Sequence, residues 1–259
     1  MKVVLLAGGA GLRLMELTRD CPKPLVTIGG MPIIWHIMKT YAAFGHNEFV
    51  ICAGYRQDMM KRWFSDYFLS RSDVTFDLTG PQPALEVLAT RCEPWRVTVV
   101  DTGQDALTGD RLAAVRDYVG DDTFMLTYAD GVSDIDLDDL AAHHRQAGRV
   151  ATITCVRRHQ SKGLVDVTEQ GLVREFREKS HADDELINAG YMVLEPDVFD
   201  YLGEAPGSFE LGPIERLTAA DQLAAYVHDG FWQCMDTLRE RTFLDALVRE
   251  GRAPWVRWD

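Results

Sequence analysis

An apolar strand-like run, Lys2 to Leu6, breaks directly into Ala7-Gly8-Gly9-Ala10-Gly11-Leu12-Arg13, and Pro22-Lys23-Pro24 follows shortly after. A buried strand ending in a glycine loop admits few folds, because the turn must lie at the carboxyl end of a sheet strand with a helix after it. Glycines lacking Cβ let backbone N–H groups come close to an anion. Arg13 and a proline-flanked Lys23 bring two positive charges to the same place. That set suits a polyphosphate that is held and attacked.

Two other glycine-loop patterns fit less well. A P-loop needs Gly-x-x-x-x-Gly-Lys-Ser/Thr, and the chain has none. A dinucleotide fingerprint needs a third glycine and an acid after the next strand. Leu14 stands in the glycine's place, and the next strand runs into Ala53-Gly54. A hydride-transferring enzyme is therefore disfavoured.

Beyond the loop, strand-like and helix-like runs alternate. Strands are expected at Phe49–Cys52, Val97–Val100, Thr123–Thr127, Ala151–Val156, Leu164–Val167, Ala189–Leu194 and Ala224–Val227. Helical spacing appears after Pro32, from Arg56 to Leu69, from Asp110 to Tyr118, from Leu137 to Gln146 and from Leu238 to Glu250. Met60, Trp63, Phe64, Tyr67 and Phe68 read as core, and His143-His144 as the solvent edge of a helix. The alternation predicts an α/β fold with a doubly wound, mostly parallel, Rossmann-like sheet flanked by helices. We expect one domain over 1–259, with a nucleotide-binding half (1–135) and a smaller sugar-phosphate-binding half (136–259). Thr75 to Trp95 breaks the pattern with Gly80-Pro81, Pro83 and Pro94, and reads as an extended arm of functional or intersubunit use.

Charge narrows the partners. The net charge of −13 over 259 residues argues against nucleic acid and membrane surfaces, which demand basic patches. A polyanionic substrate must then meet local positive charge and metal. The cysteines (Cys21, Cys52, Cys92, Cys155, Cys234) are odd in number and scattered, which points to a reducing cytoplasm, with Cys52 and Cys155 in the core. No leader and no membrane span is read.

Asp130 falls just after an apolar strand, where a carboxylate suits Mg²⁺ shared with substrate phosphates. Read locally it is equally an Asp-Gly turn. Asp236 precedes the last helix and is either its N-cap or a second metal ligand. Glu178, Lys179, Asn188 and Gly190 supply an acid, a lysine and an amide that could hold a phosphorylated polyol, although a solvated charged turn explains that segment better when it is read alone.

Together these residues resemble the sugar-1-phosphate nucleotidyltransferase family, and its glucose-1-phosphate cytidylyltransferase branch in particular. The likeness runs nearly end to end. It is carried by the glycine loop, Pro22-Lys23-Pro24, Trp35-His36-Ile37-Met38, Thr108-Gly109-Asp110-Arg111, Asp130-Gly131, Phe231-Trp232-Gln233, Asp236-Thr237-Leu238-Arg239 and Gly251-Arg252-Ala253-Pro254-Trp255. The resemblance implies cytidylyl transfer from CTP to a sugar 1-phosphate by a homo-oligomer. Arg13 and Lys23 would act on the triphosphate. Leu6, Ala7, Gly8, Gly9, Gly11, Arg111 and Tyr128 would bind the nucleotide. Glu178, Lys179, Asn188 and Gly190 would take the sugar phosphate, and Asp130 and Asp236 would take Mg²⁺. Another nucleotide, another sugar or cyclitol phosphate, and a non-catalytic nucleotide-sugar-binding module stand as alternatives. The chain departs from the family pattern at Leu12, Asp110, Ser161, Ser180, Ala189 and Cys234. Asp110 is expected to add negative charge near the triphosphate. The other changes fall mostly in the sugar half.

Overall fold

The computed structural model describes every residue except 10, 12, 13, 159–163, 168–171, 178–184, 206 and 259. Its centre is a seven-stranded sheet. The strands are β1 (Val3–Leu6), β2 (Glu48–Ala53), β3 (Arg96–Asp101), β4 (Phe124–Tyr128), β5 (Ala151–Arg158), β6 (Glu185–Leu194) and β7 (Leu223–His228). They lie in the order β7-β5-β6-β4-β1-β2-β3. All neighbouring pairs are parallel except those made by β6, which runs against both β4 and β5. The expected mostly parallel α/β sheet is present.

Side chains alternate across the pleat, so each strand feeds two cores. Val3, Leu5, Phe49, Ile51, Met125, Tyr191 and Val193 fill one face. Val4, Leu6, Val50, Cys52, Phe124, Leu126, Met192 and Leu194 fill the other. Both faces are covered, which explains near-continuous apolar strands rather than polar alternation. Each fully buried aliphatic side chain contributes about 1.5–3 kcal/mol relative to exposure.

Five helices matter to the site and its support: α1 (Ile33–Ala43), α2 (Gln57–Ser70), α3 (Thr108–Ala114), α4 (Leu137–Ala147) and α5 (Leu238–Arg249). The helix expected from Asp110 to Tyr118 is two pieces, α3 and Arg116–Val119, joined at Val115. Among the described residues, no helix is long and apolar enough to cross a membrane.

Two expectations need correction. In α2 only Met60 is fully buried; Trp63 and Phe64 are half-buried against the core and Phe68 is exposed, so this helix lies on the sheet's rim. His144 is buried, not at the solvent edge, because its ring bridges Thr152 Oγ1 (2.8 Å) and Glu195 Oε1 (3.0 Å). The arm is a two-stranded ribbon, Ser72–Asp77 with Ala84–Thr90.

The C-terminal tail closes the core beneath α1. Trp255 is fully buried, stacks on Phe231, and donates its indole N–H to His36 Nδ1 at 3.4 Å. His36 Nε2 lies 2.9 Å from the Ile28 carbonyl. These partners fix a neutral imidazole protonated at Nε2. Burial holds the His36 pKa down to about 4, against a partial upward pull from the Ile28 carbonyl. A pKa depressed on folding leaves stability intact above the unfolded value, near 6.5, and removes it as pH falls toward the folded one. The wild type should therefore lose about 2 kcal/mol between pH 7 and 5 from this ring alone. Urea titrations of the wild type and His36→Gln across that range test it; parallel pH slopes would remove the ring as the cause.

Candidate active site

β1 and β4 are adjacent and parallel, with Leu6 opposite Tyr128. Their carboxyl ends deliver Ala7–Gly11 and Ala129-Asp130 side by side, where ligands bind in open parallel sheets. A cavity of about 390 Å³ opens there. Leu6, Ala7, Gly8, Gly9, Gly11, Lys23 and Pro24 form one side of its wall, and Tyr128, Ala129 and Asp130 the floor. Ala106, Leu107, Thr108, Arg111, Ser208 and Glu210 complete it.

Lys23 sits in a short turn, Lys23–Leu25, that opens after Pro22. Its ammonium lies 2.6 Å from Asp130 Oδ2 and 2.6 Å from Asp236 Oδ1. Two carboxylates from distant parts of the chain thus converge on one cationic atom. Burial alone would lower the Lys23 pKa; the charge and hydrogen bond of Asp130, then those of Asp236, outweigh it and raise it. Asp236 is not the N-cap of α5. Thr237 is, through a capping box with Glu240, whose carboxylate also accepts from the Asp236 backbone N–H at 2.8 Å. Capping by its neighbour leaves the Asp236 carboxylate available to Lys23.

The donor set fits a magnesium ion. Two carboxylates that already share one positive centre match an ion that takes few protein oxygens and keeps water and phosphate ligands. Among the described residues no group of three or more His, Cys, Asp or Glu could hold a metal, so substrate oxygens would have to complete the shell.

Arg111 has a different environment from the one expected. It is 3% exposed. Nη1 donates to Thr102 Oγ1 (2.6 Å) and the Gly103 carbonyl (2.8 Å), and Nη2 to the carbonyls of Gly8 (3.0 Å) and Gln104 (3.2 Å). Arg111 borders the cavity, and its donors also clamp two loops, the one after β1 and the one after β3, to α3. The clamp also explains two glycines. A Cβ on Gly8 would lie 2.1 Å from the guanidinium, and one on Gly54 2.5 Å from Nη1. Arg111→Lys keeps the charge but loses the planar fork. It should cost about 2–4 kcal/mol in chemical denaturation, since several buried carbonyls lose their donors. A loss within about 0.5 kcal/mol, the range of ordinary surface changes, would count against the clamp.

Asp110 acts electrostatically on Arg111, and its carboxylate also has a structural part. Its carboxylate accepts from the backbone N–H groups of Leu107 (3.0 Å) and Gly207 (2.9 Å), and so docks the 207–210 turn onto α3. Gly190 adopts φ +78°, and a Cβ there would lie 2.3 Å from the Tyr128 ring. Asn188 Oδ1 accepts from the Gly190 N–H at 2.8 Å. Both residues stand on β6 beside Tyr128 rather than in the cavity wall. Ala189 is buried, and its carbonyl accepts from the Trp232 indole at 2.8 Å. Arg13, Glu178 and Lys179, with Leu12, Ser161 and Ser180, lie outside the described residues.

Glu210 was not anticipated. Its carboxylate accepts from Ser208 Oγ (2.5 Å), Thr108 Oγ1 (2.6 Å) and the Tyr128 hydroxyl. Burial would raise its pKa, but the hydrogen bonds from Ser208, Thr108 and Tyr128 prevail and hold it below the ordinary carboxylate value. No local pattern marks it; its partners Thr108 and Tyr128 lie 102 and 82 residues away.

Known proteins resemble this chain throughout. The profile of the Nucleotidyl transferase family matches residues 2–240. The glucose-1-phosphate cytidylyltransferase of Salmonella typhi is 45% identical over the whole of both chains. A probable glucose-1-phosphate cytidylyltransferase of Bacillus subtilis is 39% identical, again over both full lengths. The fold matches the crystal structure of a putative glucose-1-phosphate thymidylyltransferase from Bacillus anthracis with a TM-score of 0.70, at 19% identity and 96% coverage of each chain.

Proposed function

The chain belongs to the nucleotidyl transferase family, and on that premise we propose that it joins CTP to a sugar 1-phosphate, glucose 1-phosphate foremost, giving a CDP-sugar and pyrophosphate. The carrying observation is Lys23 Nζ held between Asp130 and Asp236 at the foot of the glycine loop. A loop for phosphates, a mobile-chain cation and two convergent carboxylates are what a metal-assisted attack on a triphosphate requires. Full-length identity of 45% to a glucose-1-phosphate cytidylyltransferase supports the choice of substrates.

In this reading an oxygen of the sugar phosphate attacks the α-phosphorus of CTP and pyrophosphate leaves in line. No protein nucleophile takes part; the residues orient two anions and neutralise their charge. The backbone N–H groups of Gly8, Gly9 and Gly11 and the side chains of Arg13 and Lys23 hold the triphosphate. Glu178, Lys179, Asn188 and Gly190 receive the sugar phosphate. Asp130 and Asp236 would hold Mg²⁺, which would supply charge neutralisation to the phosphates. Lys23, held by both carboxylates, is placed to bond the triphosphate. Arg111 preserves the shape of the loop. The five free thiols accord with a cytoplasmic enzyme.

We also assign the ribbon to contact with a second copy of the chain. Phe76 (60% exposed), Leu78 (71%) and Leu88 (63%) stand out from it, more apolar surface than a lone ribbon carries without a partner. Sedimentation of the wild type beside a Phe76→Ser, Leu88→Ser double variant checks this, with a smaller species expected for the variant.

The test of function is a pyrophosphate-release screen of four nucleoside triphosphates against a panel of sugar and cyclitol phosphates. CTP with glucose 1-phosphate should give the highest kcat/KM. A different best pair would move the substrate assignment. Tight CDP-sugar binding without pyrophosphate from any pair would instead identify a binding module.

A further inference from the structure

Besides Asp130, the lining of the cavity carries a second carboxylate, Glu210, which the transfer reading leaves without a task. It is firmly built in. Phe209 is fully buried and its N–H donates to Thr108 Oγ1 at 2.8 Å. The Gly207 carbonyl accepts from Gly109 N at 2.8 Å and Asp110 N at 3.2 Å, and Asp110 takes the Gly207 N–H in return. The 207–210 turn is thus fixed to α3 on one side, and Glu210 is fixed to Tyr128 on the other.

A carboxylate is an acceptor with about four lone-pair sites. Ser208 and Thr108 donate to Oε2 and Tyr128 to Oε1, with a further contact from the backbone N–H of Glu210 itself, and the group borders the cavity. The carboxylate cannot take a phosphate from that cavity, because like charges repel. It needs a neutral donor from the part of the reactants that lies away from their phosphates. In a nucleotide and a sugar phosphate that part bears hydroxyls.

We propose that Glu210 is a substrate-binding residue that accepts a hydrogen bond from a sugar hydroxyl of the reactants, on the nucleotide's ribose or on the sugar phosphate. Ser208, Thr108 and Tyr128 are the positioning residues that aim its carboxylate. The proposal rests on the nucleotidyl-transfer reading. It extends that reading because the Tyr128 hydroxyl also bonds the Asn188 side chain and so links the nucleotide wall with β6.

The test compares wild type and Glu210→Gln with the parent substrates and with analogues lacking one hydroxyl. One arm uses 2′-deoxy- and 3′-deoxy-CTP with glucose 1-phosphate fixed. The other uses monodeoxy glucose 1-phosphates with CTP fixed. One analogue should cost the wild type roughly tenfold to a hundredfold in kcat/KM, the worth of a hydrogen bond to a charged group. In Glu210→Gln the same analogue should cost only a few-fold, and the arm in which this happens names the hydroxyl's owner. Penalties that stay equal in both proteins across both arms overturn the proposal. So does a change confined to the ratio of CTP to UTP, which would hand the site to the base's amino group.

Calorimetric titration of the same ligands gives a binding readout that needs no turnover. A wild type inactive with every pair would therefore sink the transfer reading while Glu210 is still judged. If Glu210→Gln does not fold, Ser208→Ala keeps the carboxylate but removes one of its aiming donors. It should raise the KM of the affected reactant several-fold at unchanged kcat, and an unchanged KM overturns the proposal.

Discussion

Asparagine at position 236 will leave a folded protein that releases pyrophosphate at least roughly a hundredfold more slowly than the wild type. Two roles once competed for Asp236, and asparagine serves as well as aspartate in only one of them, the helix cap. The cap is Thr237. What the Asp236 side chain contributes is a negative oxygen 2.6 Å from the cation at the foot of the glycine loop. An amide there removes half of the paired charge available to a divalent ion and keeps the volume. The thermal midpoint should move little, because α5 keeps both halves of its capping box. Steady-state kinetics across a magnesium series, alongside a thermal melt, checks both halves of the expectation. Activity within a few-fold of wild type would take Asp236 out of the metal site.

Lys23→Met will produce the second large effect, and its sign is unusual. Without the ammonium, Asp130 and Asp236 each lose a cation 2.6 Å away. Removing one partner of a largely buried charge cluster costs about 3 kcal/mol, trimmed here because the two aspartates are 34% and 30% exposed. Magnesium should restore much of that loss. The melting temperature of Lys23→Met should therefore rise more steeply with added Mg²⁺ than that of the wild type, whose own lysine competes for the same oxygens. Turnover should fall at least about a hundredfold, since the lysine is also needed on the triphosphate. Scanning fluorimetry in EDTA and in graded Mg²⁺ reads the first effect. Equal magnesium shifts in the two proteins would mean that the carboxylates do not share a metal.

The sheet was legible because its strands are buried on both faces. Val3–Leu6, Glu48–Ala53 and Phe124–Tyr128 read as short apolar runs bounded by turns, and their parallel pairing follows from the helices between them. The phosphate side of the cavity was legible for a similar reason, since a glycine loop at a strand end is a local pattern. The α5 cap was also written locally, as Thr237 and Glu240 three residues apart, although Asp236 drew the eye. What escaped depends on partners far along the chain. That Arg111, placed at the nucleotide by the family likeness, also holds the carbonyls of Gly8 and Gly103 could not be read from the sequence. His144 looks like a surface residue until Thr152 and Glu195 close over it. Asp110 in the first turn of α3 and Glu210 in a polar turn acquire meaning only when docked on each other's segments.

The distance along the chain between Lys23 and Asp236, 213 residues, has a consequence for how the protein is made. A ribosome that has delivered the glycine loop, Lys23 and Asp130 has most of the nucleotide wall in hand and only one of the two carboxylates. The second arrives just ahead of α5, and the tail that plugs the core with Trp255 follows it. A nascent chain is thus chemically incomplete until its final stretch emerges, however much of the sheet has already formed. A premature stop just after Asp236 would still supply both carboxylates but leave His36 without its indole cover. A chain cut there would therefore carry both carboxylates on a core still open beneath α1.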